Sequence, residues 1–139
     1  MRFRALNYTL VTLVALFALG GCTDPVDAFL DSYDTRIHET CECVPILALT
    51  DSPAECYKKL GVTPTERECV HTAVGKDKAA LDALECRSDA EEAFVNCISG
   101  LQSCDLDGYG DCNDAYDIRT GGCPDVPDSI ENNINKCLD

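Results

Sequence analysis

Residues 24–44 read DPVDAFLDSYDTRIHETCECV. Val26, Phe29, Leu30, Tyr33, Ile37, Cys41 and Val44 recur there at steps of three and four, the period of one helix face and not of a strand. Pro45 biases Val44 away from helical geometry and closes the segment. The stretch therefore predicts a helix with a single apolar stripe, and that stripe carries a cysteine.

The same period recurs downstream. Ser52-Pro53-Ala54-Glu55 and Thr63-Pro64-Thr65-Glu66 each read as a capping box with proline at the first helical position, so two short helices start there, separated by Gly61. Cys56 and Cys69 lie almost symmetrically about the Gly61-Val62 turn, and an antiparallel pair would bring them face to face as a bridge. Residues 76–101 are helical, with Ala80, Leu81 and Leu84 in one part and Ala90, Phe94, Cys97, Ile98 and Leu101 in the next. Ser88-Asp89-Ala90-Glu91 could restart that helix; if it is continuous, Cys86 and Cys97 share a face. After Gly100 the chain is punctuated by Gly108, Gly110, Gly121 and Gly122, which predicts an acidic loop with one short helical turn around Asn113 to Ile118. Val126, Ile130, Ile134 and Cys137 form the stripe of a last helix. No period-two run or internal repeat occurs, so the expected fold is an all-α, disulfide-stapled bundle.

The chain has 139 residues, 11 cysteines, no Trp and a formal net charge of -14. Cysteine at this level in a short chain marks an exported disulfide scaffold, but an odd count leaves one sulfur over. The N-terminus accounts for it. Arg2 and Arg4 precede an apolar run from Leu10 to Leu19, ten residues long, which is signal-peptide length and short of the roughly 18 to 20 that cross a bilayer. The run ends in Leu19-Gly20-Gly21-Cys22, and here the sequence resembles a bacterial lipoprotein precursor of the small, Cys-rich type. That resemblance covers about the first 22 residues. It implies a signal peptide over 1–21 cleaved by signal peptidase II, and a mature domain over 22–139. It further implies that Cys22 carries diacylglycerol on its sulfur and a fatty acid such as palmitate on its new amino group.

Without the signal, nine Lys and Arg face 25 Asp and Glu, a net charge of -16. Such a surface repels nucleic acid and anionic headgroups, so membrane attachment falls to the covalent lipid. In the lipoproteins that this N-terminus resembles, Asp after the lipid-bearing Cys looks like an inner-membrane retention signal; Thr23 stands there instead, so the resemblance implies the outer membrane, with the domain facing the periplasm or the outside. Leu, Ile, Val and Phe make up 24 of the 118 mature residues, near the one-fifth level at which a highly charged chain stays disordered. Cross-links must supply the difference. The remaining ten cysteines, Cys41, Cys43, Cys56, Cys69, Cys86, Cys97, Cys104, Cys112, Cys123 and Cys137, are the disulfide candidates; Cys41, Cys69, Cys97 and Cys137 lie on apolar stripes, where a bridge is buried. Cys41 and Cys43 are too close for an easy mutual bridge and should reach different partners, with Cys86 and Cys97 as candidates.

Three chemistries compete with a purely structural reading. A cysteine-lined bundle resembles exported copper-storage proteins, but those repeat Cys-x-x-x-Cys along their helices and this chain has no such spacing. Asp105-Leu106-Asp107-Gly108-Tyr109-Gly110-Asp111, followed by Asn113 and Asp117, echoes the start of a calcium loop. Asp105, Asp107, Gly110 and Asn113 fall on the EF-hand positions, while Tyr109 and Tyr116 occupy two ligand positions. Asp105, Asp107, Asp111, Asn113 and Asp117 are therefore calcium candidates, set against a plain solvated acidic turn. Secreted phospholipase A2 is a small, disulfide-rich helical enzyme, yet its motif fails here, since Cys69-Val70-His71 runs on into Thr72. His71 lies off its helix's apolar stripe and His38 beside Ile37 at the edge of the first helix's apolar face, both as surface residues; no catalytic residue is nominated, and G-x-S-x-G, HExxH and Walker patterns are absent. The expectation is a non-catalytic binding or envelope-interaction role for a lipid-anchored module, with a protein or other envelope partner. A thiol-based metal carrier or a small secreted helical enzyme is the alternative.

Overall fold

The computed structural model describes residues 23–43, 52–101 and 104–138. Cys22, the signal segment and the Val44-Pro45 stop lie outside the described residues. Among the described residues six helices follow one another: α1 (Pro25–Glu42), α2 (Pro53–Leu60), α3 (Pro64–Val74), α4 (Lys78–Ser99), α5 (Leu106–Thr120) and α6 (Asp128–Leu138). Among the described residues there is no strand, and the all-α, disulfide-stapled fold is as expected.

Local chemistry sets the starts. The Asp24 carboxylate accepts the Val26 N–H at 2.8 Å, with Pro25 in the first turn of α1. The Ser52 hydroxyl accepts the Glu55 N–H at 3.2 Å. At α3 the box is reciprocal: Glu66 N–H donates to Thr63 Oγ1 at 3.3 Å, and Thr63 N–H donates to Glu66 Oε2 at 2.6 Å. Thr63→Ala should cost about 1 kcal/mol, read as a lowered thermal midpoint, while Thr63→Ser should cost little.

Side-chain pairs give the helix directions. Ser32 meets Ser88 at 3.0 Å and Arg36 meets Glu91 at 2.9 Å, so α1 and α4 run parallel. Asp27 meets His71 and Asp31 meets Arg67, so α3 runs against α1. The core lies between them and α6, built from Val26, Phe29, Leu30, Val70, Val74, Ala80, Ala83, Leu84, Val126 and Ile134. α4 is continuous through Ser88, which is buried against Ser32 and does not restart the helix.

The pairing of cysteines departs from two expectations. Cys56 bonds Cys41, and Cys69 bonds Cys137. The Cys56–Cys69 bridge does not form because Cys56 points into α1 and is fully buried, whereas Cys69 is exposed on the side of α3 that meets α6. Both Asp34 carboxylate oxygens hold that arrangement, accepting the Tyr57 hydroxyl at 2.7 Å and the Val62 N–H at 2.8 Å. Cys41 and Cys43 do take different partners, but these are Cys56 and Cys104 and not residues of the long helix. Of the four stripe cysteines only Cys41 is fully buried; Cys69 and Cys97 are exposed and Cys137 is half-buried.

The acidic loop is also corrected. Residues 106–120 form a 15-residue helix begun by Asp105, whose carboxylate accepts the Asp107 N–H at 3.2 Å. Tertiary contacts override the glycines. Cys97–Cys112 ties α4 to α5 and Cys86–Cys123 ties α4 to the turn just after α5, two rungs whose cysteines are 11 residues apart on each side. Tyr109 and Tyr116, seven apart, stand edge-on to Phe94 at 5.6 and 5.5 Å between ring centres. A Cβ at Gly108 would come within 2.7 Å of Leu101 Cδ2, the end of a flexible side chain that would have to shift to make room. Gly110 meets nothing and carries only its propensity cost, about 1 kcal/mol.

Candidate functional site

α4 turns one charged side chain into the interior. Glu91 follows Leu84 and Ser88 on the inward face of the helix, and its side chain is 2% exposed. Burying a carboxylate is costly unless it is paired and hydrogen-bonded. α5 supplies one partner, the Tyr116 hydroxyl, which donates to Glu91 Oε1 at 2.7 Å. α1 supplies the other, Arg36, whose Nε lies 2.9 Å from Glu91 Oε2. Those two atoms are buried and poorly aligned for a hydrogen bond, so their pairing is chiefly coulombic.

Burial pushes the Glu91 carboxyl above the usual carboxylate range, against the opposing pull of Arg36 and the Tyr116 hydrogen bond. Burial, and then the carboxylate it donates to, push the Tyr116 phenol well up. The Arg36 guanidinium also lies over the rings of Tyr33, at 5.0 Å, and Tyr116, at 5.3 Å. One aromatic and ionic cluster thus ties α1, α4 and α5 together.

The cluster forms one wall of a cleft of about 620 Å³ that also reaches α6. Phe29, Leu84 and Ile134 give it an apolar side, and Arg87 Nη2 donates to Glu131 Oε1 at 2.9 Å on its rim. No histidine, cysteine or serine lines it. Its lining combines mixed charges, two tyrosine rings and the Thr120 hydroxyl, groups able to hydrogen-bond and stack on a polar molecule. Sequence reasoning missed Glu91 and Arg36 because it followed apolar residues only. The signal was present, since Glu91 falls on the stripe between Leu84 and Phe94.

The structure disperses the calcium candidates. Asp105 caps α5, Asp107 is in its first turn, and Asp111, Asn113 and Asp117 follow along the exposed helix surface. Asn113 Nδ2 and Asp117 Oδ2 approach at 3.5 Å across one turn. A calcium loop needs the backbone to curl around the ion and add a carbonyl oxygen, and a regular helix spends its carbonyls on itself. The metal-like group that does converge is elsewhere: Asp24, Asp27 and His71 place three ligand atoms within 4.8 Å of one another. Each already has work, Asp24 as the α1 cap and Asp27 paired with His71 Nε2 at 2.8 Å. His38 is exposed and stands edge-on to Tyr57 at 5.3 Å.

The ten cysteines from Cys41 to Cys137 are all bonded to one another. None of them offers the thiolate that soft-metal storage or thiol catalysis requires. Among the described residues no helix is long and apolar enough to cross a membrane. Comparisons with protein families, with curated proteins and with solved structures found no match to this chain.

Proposed function

We propose that this chain is an exported lipoprotein, anchored in the bacterial outer membrane through Cys22, whose acidic helical domain is a non-catalytic binding module for an envelope partner. One observation carries the reading. Ten of the 11 cysteines pair among themselves, and the one left over, Cys22, is the residue that the lipobox resemblance assigns to lipid. Five bridges belong to an oxidising compartment, which agrees with export. The mixed charges and two tyrosine rings lining the cleft between α1, α4, α5 and α6 support a recognition role.

Cells expressing the full chain and fed labelled palmitate give the test. The wild-type protein should take up label and run at the mass of residues 22–139 plus its acyl groups; Cys22→Ala should take up none and accumulate as the uncleaved precursor. Under denaturing conditions the wild-type domain should show no free thiol by Ellman titration. An unlabelled wild-type protein, or a Cys22→Ala protein still labelled and fractionating with membranes, refutes the anchor; several free thiols in the native domain return the case to a metal or thiol chemistry.

A further inference from the structure

Taking the lipid on Cys22 as given, we infer that the end of the bundle formed by the start of α1 and the α3–α4 turn lies directly against the phosphate headgroups of the bilayer, and that the α4–α5 end points away from it. The inference rests on the proposed anchor and adds an orientation to it. Asp24 already caps α1, so Thr23 is the only residue between the lipid-bearing position and the folded domain. Three residue steps from Cys22 to Pro25 span at most about 10 Å of chain. α4 alone, with 22 residues, is about 33 Å long. A tether so much shorter than the body leaves little freedom to tumble.

What meets the bilayer follows from helix directions. Because α1 and α4 are parallel and α3 runs the other way, the turn over residues 75–77 and the first turn of α4 lie at the end from which the lipid-bearing residue departs. That turn is exposed and carries Lys76 and Lys78, in a domain with only nine lysines and arginines. Its acids are exposed and each is engaged by a hydrogen bond or ion pair. Asp24 accepts the Val26 N–H, and Asp77 accepts the Ala80 N–H at 2.9 Å. Asp82, one turn up α4, pairs with Lys78 at 2.7 Å. A carboxylate that accepts a hydrogen bond keeps its charge, so Lys76 and Lys78 offset part of the acidity of this end, and the short tether, not charge, holds it at the headgroups. At the other end, Tyr109 of α5 reaches Thr40 near the far terminus of α1, 15 residues from Pro25 and about 22 Å away along that helix.

The chain contains no tryptophan, so each introduced one is a unique reporter. Lys76→Trp and, as a second exposed position, Lys78→Trp mark the near end; Leu106→Trp, at a side chain 55% exposed, marks the far end. Each lipidated protein is reconstituted into phosphatidylethanolamine–phosphatidylglycerol vesicles carrying a headgroup-nitroxide lipid. Both near-end reporters should lose emission several-fold more than Leu106→Trp, and a long Gly-Ser insertion between Thr23 and Asp24 should erase the difference. Equal quenching at both ends in proteins that co-sediment with the vesicles overturns the orientation and leaves the anchor standing. A protein that does not co-sediment overturns the anchor, and the orientation falls with it.

Discussion

Complete reduction should convert this domain from a cooperatively melting helical bundle into a chain without fixed tertiary structure. The expectation is arithmetic before it is structural. Large aliphatic and phenyl side chains are scarce, and the main core is completed by small residues such as Ala80 and Ala83. The net charge of -16 opposes compaction throughout. Against this stand bridges closing 15, 61, 68, 37 and 15 residues. In the loop-entropy picture a closed loop of 15 residues contributes about 3 kcal/mol and one of 68 about 4.4 kcal/mol, each a large part of an ordinary domain's stability of roughly 5–15 kcal/mol. Far-ultraviolet circular dichroism melts with and without reductant test it, and an unchanged melt after verified reduction would show that the apolar core suffices. Removing single bridges should rank by loop length, with the paired Cys69→Ala and Cys137→Ala substitution costing more than Cys97→Ala with Cys112→Ala.

The features legible in the sequence are those set within one turn of helix. The stripes of α1 and α6 and the capping at Ser52 and Thr63 need only neighbours three or four residues away, and the structure reproduces them. α5 was not legible because its local signals, Gly108 and Gly110 among six acids and amides, oppose a helix, while the contacts that impose one come from Phe94, Cys97 and Leu101 on the far side of the chain. Symmetry about Gly61 indicated that Cys56 and Cys69 could be near in sequence register, but not which face each would present. The shared spacing of Cys86 to Cys97 and Cys112 to Cys123 was the stronger clue, since equal steps on two antiparallel segments are what a two-rung ladder requires. The candidate site was hidden for a related reason. A charged residue on an apolar stripe is an exception to the pattern, and only the partner helices reveal that Glu91 has a cation and a phenol waiting for it.

Arg36→Ala should therefore be among the most damaging single substitutions in the domain, at about 3–5 kcal/mol near neutral pH. Removing the guanidinium leaves the Glu91 carboxylate buried with one hydrogen bond, from Tyr116, and no countercharge. The pH dependence distinguishes this cause from lost packing over Tyr33 and Tyr116. Glu91 already has a folded-state affinity for its proton above the ordinary value, and Arg36 is the main force holding it down. Without Arg36 the folded state keeps a proton that the unfolded state releases, so stability falls as pH rises above the ordinary carboxylate range of about 4.3. Below that range the carboxyl is protonated in both states, and only the ring contacts should be missed. Urea midpoints for wild type and Arg36→Ala should thus lie close together in acid and separate progressively toward neutrality. Glu91→Gln placed on the Arg36→Ala background removes the uncompensated charge while keeping an acceptor for Tyr116, and should recover most of the neutral-pH loss and little of the acid-pH one. A deficit of the same size at every pH, unmoved by Glu91→Gln, would mean that Arg36 works here as a flat hydrocarbon-and-guanidinium plate between two tyrosines and that its charge is incidental.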